Sequence, residues 1–429
     1  MLNTMRTALR RVLHLLADPV RGDEGRGGII IYPYRGYGSP TEAFLMGRVF
    51  RQPPARSQTS RGSTGRDAID LGRRILRRGV SGAEVLARFA GASQRVTTDR
   101  DGYFHVHFRD LDLPASDRVW HEMDLEVVGA DQTPVTARAE VFVPPATARF
   151  VVISDIDDTV MFTGVANKIR MMYNLFFRSA ESRIAFPGVA AFYRALHEGR
   201  SGTENNPMLY VSRAPWSIYE VLEAFFRRHN IPVGPILFLW EWGLTVQRPL
   251  PQRAKGHKLR LIRQMLALYE DLPFVLIGDS GQHDPELYLQ VVRDHPGRVI
   301  AAYIRNVSRT PDRRREIEAL AEEIVAAGST LLLASDTYAM AEHAANSGLI
   351  APHALPAVQE ERRREQGDAA VHETAEVSAP DREETQQAVE HGAVADALAH
   401  EGSRAEPPNV LIEAEDDKSQ TKMAGKERA

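Results

Sequence analysis

Apolar positions change period along the chain, and each change predicts a different kind of element. Leu2, Met5, Leu9, Val12, Leu13 and Leu16 recur at helical spacing, with Arg6, Arg10 and Arg11 between them. Residues 1–27 therefore read as an amphipathic helix and its exit. From 28 to 148 the period falls to two. Ile29–Tyr32, Ala43–Phe50 and Val85–Phe89 are strand-like, and Phe104, Val106 and Phe108 share one face of another strand. Met123, Leu125 and Val127 alternate, as do Val135, Ala137, Ala139, Val141 and Val143. Asp101-Gly102 has the composition of a hairpin turn. Short alternating strands of this kind predict a small all-β sandwich.

Between 149 and 350 the strands lose their alternation and become continuous apolar runs. These are Phe150–Ile153, Leu209–Val211, Ile236–Leu239, Phe274–Ile277, Val299–Ile304 and Thr330–Leu333. Helical patterns lie between most of them, at Val189–Leu196, Ile218–Arg228, Lys258–Leu268, Pro285–Val292, Asp312–Ala326 and Tyr338–Ala345. Strands buried on both faces and alternating with helices predict an α/β domain with a doubly wound, mostly parallel sheet. Residues 351–429 break the pattern again. From 352 onward there is no Phe, Trp or Tyr, and 18 acidic side chains stand against nine basic ones. That composition predicts a disordered acidic tail, because too little apolar surface is available to offset the entropy of ordering. Since the whole chain of 429 residues carries −4, the first 351 carry +5.

Composition narrows the chemistry. The absence of cysteine excludes disulfides, thiolate nucleophiles and thiolate-bound zinc. No run of about 18 apolar residues occurs, so no transmembrane helix is expected. Arginines interrupt the first apolar stretch and no small-residue cleavage site follows, which does not describe a secretory signal. Basic residues are nearly all arginine. The six lysines are Lys168, Lys255, Lys258, Lys418, Lys422 and Lys426, and a lysine retained before the tail is a candidate compact point charge. Arg61, Arg66, Arg73, Arg74, Arg77 and Arg78 crowd one segment, either as a solvated helix face or against anionic head groups. Nucleic acid is not an expected partner, because these segments lack interleaved aromatic stacking residues. His105 and His107 point to one side of a strand, and without a third ligand they read as solvent-facing.

In a doubly wound sheet the ligand sits beyond the carboxyl ends of the strands. The first such strand ends in Asp155-Ile156-Asp157-Asp158-Thr159, three acids that repel unless a cation or a phosphoryl group explains them. The second ends in Ser212, able to donate to a phosphoryl oxygen or to cap a following helix. Ala254-Lys255-Gly256-His257-Lys258 opens a helix whose lysine can reach the strand ends. The fourth strand runs into Gly278-Asp279-Ser280-Gly281-Gln282-His283-Asp284. An N-cap role before Pro285 explains Asp284 but leaves Asp279 unexplained. Two apolar features have open roles. Ile169, Met172, Tyr173, Phe176 and Phe177 form a helical stripe, either a core face or a cap over the site. Phe238, Trp240 and Trp242 form either a lipid-facing lip or a buried edge.

In this order, each after a strand, these motifs resemble the four-part pattern of the haloacid-dehalogenase-like (HAD-like) phosphotransferases. Ser154–Val160, the His257-Lys258 pair and Gly278–Tyr288 are similar, more narrowly, to the catalytic domain of the actin-patch-type phosphatidate phosphatases, over about residues 149–310. The resemblance implies an Asp155 nucleophile, an Asp157 general acid/base, and phosphate binding by Thr159, Ser212 and Lys258, with Lys255 as the alternative lysine. It implies Mg2+ held by Asp155, Asp157 (through its carbonyl), Asp279 and Asp284. The reaction implied is phosphatidate to diacylglycerol through an aspartyl-phosphate, in a cytoplasmic protein peripheral to a membrane surface. A phosphatase of a soluble phosphomonoester and a non-catalytic phosphoryl-binding recruiter are the competing expectations.

Overall fold

The computed structural model describes residues 28–51, 79–114, 116, 118–128, 135–156, 186–212, 216, 219–238, 256–308 and 310–377, with backbone alone at 221, 224 and 367–377. The helix expected within 1–27, the arginine segment 61–78, the stripe 169–177, Trp240 and Trp242 lie outside the described residues.

Eight short strands open the described chain: β1 (Ile29–Pro33), β2 (Gly36–Gly38), β3 (Ala43–Arg51), β4 (Glu84–Phe89), β5 (Ala92–Thr97), β6 (Tyr103–Phe108), β7 (Trp120–Val128) and β8 (Val135–Phe142). They join in one sheet of order β1-β3-β2-β8-β7-β4-β5, with β6 paired to β3. All pairings are antiparallel except β2 with β8. The alternation read from sequence sets the buried face: Phe104, Val106, Phe108, Met123, Leu125 and Val141 lie in one apolar cluster with Leu45, Val49 and Val85. One expectation is corrected. Asp101-Gly102 does not close a hairpin of paired strands, because β5 pairs with β4 and β6 pairs with β3. The turn itself forms: the Asp99 carboxylate accepts from the Asp101 and Tyr103 amides at 2.8 and 2.9 Å. Gly102 adopts φ +84° and its carbonyl accepts from the Val49 amide at 2.8 Å. That bond docks the turn on β3 and hands the next strand to β3.

Six parallel strands follow: β9 (Val151–Asp155), β10 (Met208–Ser212), β11 (Ile236–Phe238), β12 (Phe274–Asp279), β13 (Val299–Arg305) and β14 (Leu331–Ala334). Their order is β11-β10-β9-β12-β13-β14. Helices α1 (Val189–Glu198), α2 (Tyr219–Arg228), α3 (His257–Leu268), α4 (Asp284–Asp294), α5 (Pro311–Ala326) and α6 (Thr337–Asn346) cover it. Core residues of α1, α2 and α6 cluster with Val152, Tyr210, Ile277 and Tyr303 on one face. Those of α3, α4 and α5 cluster with Ile153, Val211, Leu276 and Ile304 on the other. This is the helix–sheet–helix layering that continuous apolar strands require. The six expected strands and six expected helices all occur, each within two residues of the expected limits.

The two sheets belong to one compact unit ending at Ala369. They meet through rings. Tyr34 packs on Trp216 and Tyr219 at centroid distances of 4.7 Å, and Trp216 packs on Phe238 at 4.5 Å. Arg35 extends the contact by bonding Glu140 at 3.0 Å on β8 and Glu223 on α2. No described helix is long and apolar enough to cross a membrane.

The segment expected to be wholly disordered begins as helix α7 (Leu355–Val377). Val358 is fully buried, and two acids of the predicted acidic tail find specific partners. Helix α1 starts at Gly188 with no side-chain cap of its own. Glu365 accepts from the Gly188 amide at 2.7 Å, and Glu361 accepts from the Ala191 amide at 2.9 Å and from Arg194 at 2.6 Å. Acidic side chains at a helix N-terminus satisfy orphan amides and face the positive end of the helix dipole. Average composition misses this, because the ordering depends on two acids and one valine. Glu361→Ala, which strands the buried Ala191 amide, is expected to lower stability by about 1–3 kcal/mol in a urea unfolding curve.

Candidate functional site

The strand order reverses between β9 and β12. The chain runs outward from β9 to β10 and β11, then returns to lay β12 on the other side of β9. Connections on opposite faces leave a crevice at that point, above the carboxyl ends of the two strands. Asp155 is the last residue of β9 and Asp279 the last residue of β12. The topology therefore sets two carboxylates side by side. Asp284, the first residue of α4, supplies a third. All three are at most 2% exposed, and their ligating oxygens lie within 4.8 Å of one another.

Helix α3 aims a cation at this group. Lys258 Nζ lies 2.5 Å from Asp284 Oδ1 and 3.2 Å from Asp155 Oδ2. Burial disfavours its ammonium, but Asp155 and Asp284 outweigh burial and hold its pKa well above the usual lysine value. The lysine is thus a fixed positive charge. It also sits 5.8 Å over the Tyr288 ring. Burial, and then the charges of Asp284, Asp155 and Asp279, push the Tyr288 phenol well above its ordinary pKa, so it stays neutral and donates to the Ile277 carbonyl at 3.0 Å.

The β12–α4 loop is shaped to bring Asp284 inward. Asp279 Oδ1 accepts from the Gly281 amide at 2.8 Å, and Asp284 Oδ2 accepts from the Asp279 amide at 3.3 Å. A Cβ on Gly278 would stand 2.3 Å from Asp284 Oδ2, so only glycine admits the inward carboxylate. Asp284 makes no capping bond; the N-cap position falls on His283. The capping role weighed for Asp284 is replaced by bonds into the site. Arg313 of α5 clasps the same loop from outside, donating to the carbonyls of Ser280 (3.1 Å) and Gln282 (2.8 Å) and forking onto Glu286. Burial works against the Glu286 carboxylate, but the Arg313 fork overrides it and lowers its pKa. Ser280 Oγ accepts from the Val307 and Ser308 amides, both at 2.9 Å, tying the loop to the end of β13.

Five of the residues singled out from sequence can be located. Asp155, Lys258, Asp279 and Asp284 converge. Ser212 is the fully buried last residue of β10, one strand from Asp155, with Val211 in register with it. The helix expected to begin near Ala214-Pro215, which Ser212 could cap, starts outside the described residues. Asp157, Thr159 and Lys255 lie outside the described residues. His105 is exposed, as expected, whereas His107 is half-buried, held by Glu42 at 2.6 Å and stacked on Phe44. Sequence reasoning passed over Arg313, Ser280, and the Tyr193 hydroxyl that bonds Ser154 at 2.6 Å. Ser280 lies inside the Gly278–Tyr288 motif without a role of its own there, and Arg313 and Tyr193 stand in no motif; each becomes legible through contacts 27 to 39 residues distant.

The donor set is oxygen alone, without His or Cys. That suits a hard divalent cation such as magnesium. The charges agree. Among the described residues three carboxylates gather around one ammonium in a buried place, where clustered acids are costly and a cation lowers the cost.

Residues 150–306 match the family model described as the catalytic domain of phosphatidate phosphatase APP1. Over 170 residues the chain is 31% identical to phosphatidate phosphatase APP1 of Saccharomyces cerevisiae, covering 38% of this chain and 28% of that protein. It is 28% identical over 156 residues to an uncharacterized protein of Schizosaccharomyces pombe, covering 36% and 25%. The chain thus spans about a quarter of the length of the curated relatives it matches. Among solved structures, tandem Ig repeats of Dlar overlap with 31% of this chain and 61% of that one at 12% identity and a TM-score of 0.17, too low to establish a shared fold.

A divalent ion that binds the folded carboxylates stabilises by mass action, by about 2.7 kcal/mol at a hundredfold excess over its dissociation constant. Magnesium is therefore expected to raise the melting temperature. Asp279→Asn should remove most of that increment, measured by calorimetry with magnesium and with chelator.

Proposed function

We propose that this chain is a magnesium-dependent phosphatase whose favoured reaction is hydrolysis of phosphatidate to diacylglycerol and phosphate. The observation that carries the reading is the Asp155–Asp279–Asp284 group with Lys258 across it, inside the segment that matches the APP1 catalytic model. The accompanying fold reading is a HAD-like doubly wound domain after a β-sandwich. Supporting it are the all-parallel order of β9–β14, helices on both faces and acids at the switch point.

In this reading an Asp155 oxygen attacks phosphorus as the bond to the diacylglycerol oxygen breaks, giving an aspartyl-phosphate. Asp157 donates the proton that the leaving alkoxide needs. It then takes a proton from the water that attacks phosphorus and frees Asp155. Lys258 and Ser212 hold the non-bridging oxygens, where charge accumulates in the transition state. Thr159 donates a further hydrogen bond or orients the loop. Asp155, Asp279, Asp284 and the Asp157 carbonyl would hold magnesium, which supplies the positive charge that lets an anionic nucleophile approach a phosphate dianion. Asp284 has a second task, because its 2.5 Å bond keeps Lys258 aimed at Asp155. The lipid substrate is taken from the relative's name, and it would place the protein peripherally on a membrane surface.

Phosphate release from phosphatidate vesicles and from p-nitrophenyl phosphate, each with magnesium and with chelator, tests the reading. Release from phosphatidate is expected with magnesium alone, and Asp155→Asn should reduce it to background while the melting curve stays cooperative. Release from the aryl ester alone would replace the lipid substrate with a soluble one. Wild-type kinetics in Asp155→Asn would remove the nucleophile.

A further inference from the structure

A cavity of about 430 Å3 opens where the antiparallel sheet meets the outer edge of the parallel one. That volume lies within the range of small-molecule sites, about 300–1,000 Å3. β2, β3 and β6 form one wall, and β11 and α3 form the other. Rings and aliphatic groups, among them Tyr37, Phe44, Trp216, Phe238 and Leu261, share its surface with the polar side chains of Arg35, His105 and His107. Cationic or neutral polar groups, His257, Arg260 and Gln264, stand along α3. Among the described residues that line it, none is a carboxylate.

The cavity is close to the acidic centre in two ways. Phe238 is in register with Ser212, and Val211 is in register with Asp155. At about 4.8 Å per strand, Phe238 stands two strand spacings, roughly 10 Å, from Asp155. The second link is α3. His257, Arg260, Leu261 and Gln264 follow helical spacing along the cavity, while Lys258 of the same first turn reaches the carboxylates. One helix therefore faces the acidic centre from one side and this partly apolar cavity from the other.

We propose that this cavity holds an acyl chain of the lipid phosphate whose head group lies at Asp155 and Lys258. The proposal rests on the phosphatidate reading and deepens it. An apolar chain buries against the aromatic wall. A small polar ester would reach only the phosphoryl site and leave the cavity unused. The described lining residues include Arg35 and Arg260 and no carboxylate, which suits an anionic lipid.

The test compares dioctanoyl with dibutanoyl phosphatidate, both in nonionic detergent micelles, using the full chain with magnesium. Each methylene buried is worth about fourfold in binding, so kcat/KM should favour the dioctanoyl lipid by about tenfold or more. Gln264 is an exposed wall residue, and changes there should not disturb folding, which melting curves check. Gln264→Trp narrows the cavity and is expected to bring the preference to within about twofold of unity. Gln264→Leu preserves volume and should keep it. An unchanged preference in Gln264→Trp, or no preference in the wild type, would overturn the cavity assignment while the phosphatase reading stands. Hydrolysis of p-nitrophenyl phosphate but of neither lipid would sink the phosphatidate reading and the cavity with it.

Discussion

The ammonium of Lys258 between Asp155 and Asp284 is the contact on which the site depends. Three carboxylates drawn within 4.8 Å of one another repel, and burial strengthens the repulsion. The fold tolerates them because each is fixed by a separate device. Asp155 is held by a strand buried on both faces, Asp279 by its bond to the Gly281 amide, and Asp284 by the glycine that lets it turn inward. Lys258, bonded to Asp155 and Asp284, offsets part of that repulsion. Buried carboxylate oxygens clustered in this way favour a bound cation.

Much of this is legible in the sequence because two patterns coincide. Continuous apolar runs such as Phe274–Ile277 mark strands buried on both faces, and those strands belong to sheets whose ligands gather at their carboxyl ends. Acids placed directly after such runs are then expected to converge, and Asp155 and Asp279 do. Lys258 stood out because this chain uses arginine almost everywhere that charge alone is needed. Asp284 was ambiguous from sequence: Asp before Pro reads as a helix cap. The close approach of Gly278 decides otherwise, and that is a property of three dimensions.

What the sequence does not carry are choices of partner made at long range. Alternation identifies β6 as a strand, yet nothing local says that it pairs with β3 and not with β5; the bond from the Val49 amide to the Gly102 carbonyl does. Likewise Glu361 and Glu365 look like residues of a solvated acidic tail. Their role appears once α1 is seen to start without a cap. Arg313 is one arginine of a run of three, and only its place beside the β12–α4 loop distinguishes it from Arg314 and Arg315, which pair with acids of their own helix.

The same long-range choices shape the edge of the parallel sheet. Such an edge ordinarily needs cover, and among the described strands none pairs with the outer side of β11. Here the cover is the antiparallel sheet, brought close by the Tyr34–Trp216–Phe238 rings and by Arg35. Rings and a guanidinium bridge the two sheets at points and do not fill the seam, and the unfilled part is the cavity beside α3. A single strand closing that edge would have left no such space. Joining two sheets of different kinds thus leaves a partly apolar volume whose wall residue Phe238 stands two strand spacings, roughly 10 Å, from Asp155.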